Sequence, residues 1–438
     1  MIYIKIRLGT GAGCSCDRIE PAQELILKGD INYLIFECLS EKSMAESMKE
    51  KMLDPQKGYS SMLEERMERL LKIALENGVK IISNMGSTNV RSAVSIIQKV
   101  AKKHNITGIK IGAVYGDDVI NLINPQEIGL TNDTLISANA YLGYEGIKKL
   151  LEYGCDVVIT GRIADVSLFV GPIAYEFKDK FDNNLLANAT LLGHLMECAG
   201  QLTGGYACDP GYKDIPNLEI LGFPIAEISD NGEFVISKVS GTGGEISERI
   251  VKEQLSYEVF DLSNYITPDA IVDFTSVDIE EISENVVRVK GCNYVGCPSD
   301  YKVNIGFKNG YLGIGEVGYA GTTAYKKAIL TKDILTKRIK MVGYSYNDLS
   351  FDLVGFNSIV GDDIAICENF PKETRVRMAV RTNTEKEALL VSREMNYMFT
   401  NGLSGGAGIG SSVKELIGIK AYYIKKDKLK IETEVFEL

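Results

Sequence analysis

The chain of 438 residues has no tryptophan and only two histidines, His104 and His194. Two histidines cannot supply a three-histidine zinc centre, so that class of metal chemistry is excluded. No apolar run approaches the roughly 20 residues that a membrane-spanning helix needs. The start of the chain lacks a basic segment followed by a long apolar stretch, so no signal peptide is expected. Positive charge is in deficit: 48 Lys+Arg stand against 59 Asp+Glu, a formal net charge of −11. That balance argues against a nucleic-acid binder and against docking on an anionic membrane surface. Nine cysteines make an odd count whose spacing gives no disulfide framework. Reduced thiols in a cytosolic protein are the expectation. Cys14-x-Cys16 and Cys292-x4-Cys297 would each offer half a metal site, but neither is a paired C-x2-C, and no metal is assigned.

What is present is glycine, 43 residues of it, in a chain long enough for two or three domains. The first half alternates short apolar runs with helical periods, the pattern of a parallel α/β sheet. Strands are predicted at Ile2–Leu8, Tyr33–Cys38, Lys80–Asn84, Gly108–Val114, Thr134–Ala138 and Asp156–Thr160. Helices are predicted between them, as in Met62–Leu75, where apolar residues recur at spacings of three and four. Past Phe223 hairpins take over, with turns at Asp230-Asn231-Gly232 and Lys308-Asn309-Gly310. The fold class is therefore α/β. A parallel-sheet domain over 1–222, carrying ligand loops at its strand ends, precedes an α+β domain over 223–438.

Ligands of open parallel sheets bind beyond the carboxyl ends of the strands, so the residues after each strand come first. Gly9-Thr10-Gly11-Ala12-Gly13 leads into Asp17-Arg18, and such a loop lets backbone amides approach a phosphate or carboxylate. The glycines would equally serve a tight turn, and Cys14 stands where a dinucleotide fingerprint needs its third glycine. Glu37, Asn84, Gly86 and Asn139 close other strands. Arg162, after the strand ending at Thr160, would clamp an anion, with Asp165 orienting it or acting as base. An Arg162–Asp165 ion pair capping the next helix is the plainer alternative. His194 and Glu197 are three apart and share a helical face, as an acid/base pair, as two metal ligands, or as a histidine bonded to backbone. Asp209 and Lys213 lie in a polar loop beyond. Ser240-Gly241-Thr242-Gly243-Gly244 repeats the strand–glycine–helix arrangement suited to an anion, without the Lys-Ser/Thr of a Walker loop.

The ordered segments GTGAGCSCDRIEPAQELILKGDINYLIFECLSE, SNMGSTN, GRIADVSLFVGPIAYEF, HLMECAGQLTGGYACDPGYKDI, LGFPIAEISDNGEF, VSGTGGEIS, VKEQLSYEV, LTKRI, TRVRMAVRTNTEKEA and YMFTNGLSGGAGIG resemble the acyclic terpene utilisation AtuA family over nearly the whole chain. Leu403 departs from the proline that members more often carry there. The resemblance implies catabolism of branched acyl-CoA compounds, although members occur where no terpene is used. Some relatives carry a small ferredoxin-like domain at the C-terminus, which implies a separately encoded small partner for this chain.

The leading expectation is a cytosolic enzyme of carboxylic-acid or acyl-CoA catabolism, of lyase or hydratase type, acting as a homo-oligomer. Arg162, Asp165, His194, Glu197 and Asp17 would be catalytic. Gly11, Gly13, Arg18, Asn84, Gly86, Asp209, Lys213, Gly241, Gly243 and Gly244 would bind ligand. No cofactor is identified. A non-catalytic binding or scaffold subunit is the second reading, and an NAD-dependent oxidoreductase the third.

Overall fold

The computed structural model describes residues 5–361 and 371–438. Ile2–Ile4 of the first predicted strand and Cys367 lie outside the described residues. The chain forms two compact units. The first comprises Met1–Gly129, Ile136–Gly306 and Ile419–Leu438, and the second Leu130–Leu135 and Phe307–Gly418.

The predicted alternation appears in the first unit as β1 (Lys5–Ala12), α1 (Glu20–Lys28), β2 (Tyr33–Phe36), α2 (Glu41–Leu53), α3 (Leu63–Glu76), β3 (Lys80–Ser83), α4 (Val90–Lys103) and β4 (Lys110–Tyr115). There follow β5 (Leu135–Ala140), α5 (Glu145–Glu152), β6 (Val157–Thr160), α6 (Ser167–Glu176), α7 (Asn183–Met196), β7 (Pro224–Ser229), β8 (Phe234–Lys238) and α8 (Glu248–Ser256). Short strands β9 (Tyr265–Ile266), β10 (Ile271–Asp273), β11 (Asp278–Ser283), β12 (Val286–Lys290) and β13 (Asn293–Gly296) complete the middle of the chain.

Strands β1, β2, β3, β6 and β4 lie side by side and parallel. Every residue of β2 and of β6 is buried, as expected of strands covered on both faces. The capping box of Ser40 and Ser43 starts α2 directly after β2. Because β6 inserts between β3 and β4, the winding reverses there. Helices α1, α3 and α4 share one apolar cluster with the sheet, whereas α5, α6 and α7 pack on one another. Right-handed crossovers in opposite directions put these two sets on opposite faces. The loops after β3 and β6 therefore meet at a topological switch point, where a crevice is expected.

The change of pattern after Phe223 is a change of strand direction within this sheet. β7 pairs antiparallel with β1, and β8, β12 and β11 follow it outward. The boundary expected at residue 222 thus falls inside the first unit. The hairpin through Asp230–Gly232 is present, while β11 pairs with β12 across Asn285 (φ 59°). β5 does not join the parallel strands; it pairs with β14 (Asp300–Ala320). The far edge carries β18 (Glu432–Glu437), antiparallel to β4.

In the second unit, Lys308-Asn309-Gly310 is not a hairpin turn, because β14 runs through it. A glycine at φ 82° serves a bulge as readily as a turn. Beyond it Tyr311–Ala320 pairs with β16 (Glu373–Thr382). The chain order is β14, α9 (Ala324–Val342), β15 (Asp348–Val354), β16, α10 (Glu385–Asn401) and β17 (Ala407–Lys425), and the sheet order is β15-β16-β14-β17. This is the split βαβ arrangement of ferredoxin-like domains. Val317, Leu335, Met378, Val391 and Met395 are in its core.

Candidate active site

Glycine brings β1 close to the end of α7. A Cβ on Gly13 would lie 2.5 Å from the Cys198 carbonyl carbon and 2.6 Å from the Glu197 oxygen. Gly11 is inside β1, facing the Phe36 ring rather than a ligand. The anion cradle expected after β1 is filled from within. Gly13 N and Cys14 N donate to Asp17 Oδ2 at 2.8 and 3.1 Å. The loop's carbonyls at Cys14, Ser15 and Asp17 accept from the buried Arg66 guanidinium, each at 3.2 Å. Cys14 and Cys16 form a disulfide, contrary to the expectation of reduced thiols. Asp17 holds this loop rather than presenting a free base.

Glu37 follows β2 and is buried. Its Oε1 accepts from Leu39 N at 2.8 Å and from Asn84 Nδ2 at 3.0 Å, while Asn84 Oδ1 accepts from Cys38 N at 2.8 Å. The Glu37 and Asp165 side chains are hydrogen-bonded neighbours. Burial pushes both carboxyls above their ordinary range, Glu37 the further, and Arg162 beside Asp165 opposes the shift.

Arg162 is only 1% exposed. Its Nε and Nη2 donate to Ile163 O at 2.9 and 2.7 Å, Nη1 to Leu39 O at 3.1 Å, and Nη2 also to Asp165. Its guanidinium lies 4.5 Å from the Tyr141 ring centroid. With these donors engaged it does not reach out to clamp an anion, so it positions Asp165. Its backbone amide donates to Asp117 Oδ2 at 3.0 Å, which Asn139 Nδ2 also reaches at 2.8 Å. Burial raises Asp117 to about 6 despite those bonds.

Helix α7 ends at Met196, and Ala199 turns the chain at φ 46°. His194 Nε2 lies 3.1 Å from Leu255 O. A carbonyl only accepts, so Nε2 carries hydrogen. His194 Nδ1, 3.5 Å from Glu197 Oε1, has no hydrogen-bond partner. The imidazole is held between the rings of Tyr265 and Phe274, at centroid distances of 5.0 and 5.5 Å. Burial raises the Glu197 carboxyl to about 7, with His194 opposing the shift.

These acids stand where two cavities of about 460 and 420 Å³ meet, and Asp165, Glu197, Glu41, Tyr257 and Glu258 line both. Glu258 reaches the cavities from a left-handed backbone, φ 59°. Glu41 accepts from Tyr141 Oη at 2.8 Å and from Lys302 Nζ at 3.4 Å. Tyr265 and Lys302 carried no sequence signal; Tyr257 and Glu258 lie in the family-like segment VKEQLSYEV without being singled out, and Glu41 is signalled only by opening the helix after β2. Among the described residues no group of three or more His, Cys, Asp or Glu is placed to hold a metal ion.

Other expected ligand residues lie apart from this centre. A Cβ on Gly86 would meet Thr160 O, so Gly86 packs the ends of β3 and β6 together. Gly243 N, Gly244 N and Glu245 N donate to Ile220 O, Pro216 O and Thr203 O, leaving no amide cradle there. Arg18 and Gly241 line an adjoining groove. Asp209 and Lys213 close their own loop, and Lys213 pairs with Glu253 at 3.0 Å.

The family model for the acyclic terpene utilisation family protein AtuA matches residues 6–435. The chain belongs to the AtuA family. No curated protein matches it. A crystal structure of S. aureus homoserine dehydrogenase aligns over 90% of this chain and 83% of that chain, at 7% identity and a TM-score of 0.15. That likeness is too slight to bear on the fold or the chemistry of this AtuA member. No helix among its described residues is long and apolar enough to cross a membrane.

Proposed function

We propose that this AtuA protein is a cytosolic enzyme of carboxylic-acid or acyl-CoA catabolism that works by acid–base chemistry, of lyase or hydratase type. The observation that carries the reading is the placing of two carboxyls raised by burial, Asp165 beside Glu37 and Glu197 beside His194, on the walls of both cavities. Adding or removing water next to a carbonyl needs one group to take a carbon-bound proton and another to protonate the departing hydroxyl. A carboxyl raised to about 7 is matched to either role near neutral pH. The family's description as a terpene-utilisation group agrees with a catabolic role.

The acids also bear on the substrate's charge. A free carboxylate beside Asp165, Glu197 and Glu258 would be repelled, whereas an uncharged thioester carbonyl would not. The test is to incubate the purified protein with 2-enoyl and 3-hydroxyacyl thioesters and follow the enoyl absorbance. Turnover that falls at least about 100-fold in both Glu197→Gln and Asp165→Asn supports the reading. Full activity in both variants overturns it.

A further inference from the structure

The largest of the cavities described, about 800 Å³, is not used by the chemistry above. It adjoins the acid-lined space, with Asp17, Gly205, Leu221 and Phe223 in the walls of both. Its floor is apolar: Pro21, Leu218, Ile220, Leu221 and Phe223. Ile220 is 55% exposed, an aliphatic side chain turned to open space over a concave surface. Several of the charges at its rim have partners. Glu24 pairs with Lys28 at 2.7 Å, Glu20 with Arg69 at 2.8 Å, and Arg18 donates to Glu219 O at 2.9 Å.

We infer that this groove is the subsite for the aliphatic body of the substrate whose reacting carbonyl enters the acid-lined cavity. The inference rests on the acid–base reading only for what occupies that cavity. A groove with an apolar floor selects by burial of hydrocarbon, so affinity follows chain length. The volume is in the range of pockets that take small organic ligands. Short acids lacking a tail would bind poorly, and the substrate class is a medium-length aliphatic carbonyl compound.

The probes are neutral methyl ketones, 2-butanone, 2-hexanone, 2-octanone and 2-decanone, titrated calorimetrically into the full-length protein. They need no turnover, so the result is independent of whether the protein catalyses hydration. The expected result is affinity rising up to about fourfold per added methylene until the groove is filled. Ile220→Trp and Ser240→Phe, both at exposed positions on the groove, are expected to abolish that dependence. Glu197→Gln is expected to retain it. Affinity independent of chain length in the wild-type protein, absence of binding, or an unaltered dependence in both groove variants would overturn the inference.

Discussion

His194 Nδ1 lies 3.5 Å from Glu197 Oε1 and finds no hydrogen-bond partner, while Nε2 on the same ring is fixed to Leu255 O. The carbonyl sets the tautomer and so turns the free ring nitrogen towards a carboxyl whose own proton is loosely held. The removal of that carboxyl's charge separates function from stability. Glu197→Gln is expected to lose turnover yet to unfold at higher temperature above pH 7. Raising the carboxyl from 4.5 to about 7 costs the folded ionised state up to about 3 kcal/mol. Thermal melts of the two proteins at pH 5 and pH 8 measure this; equal melting points at pH 8 would contradict it.

The pH dependence of stability follows with a definite sign. Glu197 and Asp269 are raised to about 7, and Asp117 to about 6, each chiefly by burial. Between the ordinary carboxyl range and these values the folded state holds more protons than the unfolded chain. Stability therefore falls as pH rises from about 4 towards 7, then levels for these groups. Urea unfolding at pH 5, 6, 7 and 8 checks the direction. A rise across the interval would count against the buried placement of these acids.

Arg162 is a positioning residue by this account, so its loss should act through the fold. Truncation leaves Asp165 without its cation and strands the Leu39 and Ile163 carbonyls. Arg162→Met is expected to destabilise the protein by about 3–5 kcal/mol. Arg162→Lys, which cannot bridge all three acceptors, should lie between. Denaturant titration measures this; unchanged stability with weakened ligand binding would restore the direct anion contact.

Gly13→Ala tests the seam between β1 and α7. The new Cβ would press on the Cys198 backbone and the Glu197 carbonyl, contacts too rigid to yield at no cost. A loss of about 1–3 kcal/mol is expected, with the Glu197 titration shifted as its surroundings move. A variant with wild-type stability and wild-type titration would show that the close approach is not needed.

The Cys14–Cys16 bond gives a direct chemical expectation. Thiol titration of the denatured, unreduced protein should find two fewer thiols than the nine cysteines. Nine reactive thiols would contradict the bond.

The parallel strands were legible because their β-branched runs and following helical periods are local features. The partnering of β7 with β1 and the passage of β14 through Gly310 were not, since turn chemistry does not say which strand comes next. For the site, strand ends pointed to Glu37, Asn84, Arg162 and Asp165, and the spacing of three pointed to His194 and Glu197. Sequence could not show that Arg162 is held by the carbonyls of Leu39 and Ile163, or that Asp17 fills its own cradle. Those facts depend on which donors and acceptors the fold brings together. Glu258 lies in the family-like segment VKEQLSYEV, but the turn that carries it to the cavities could not be read from that segment.

The most direct test is a ¹³C NMR titration of the Glu197 carboxyl, assigned by its absence in Glu197→Gln. A midpoint near 7, well above the ordinary glutamate value, is the predicted result. A midpoint near 4.5 would leave Glu197 fully ionised at neutral pH and would contradict its role as the proton-handling group.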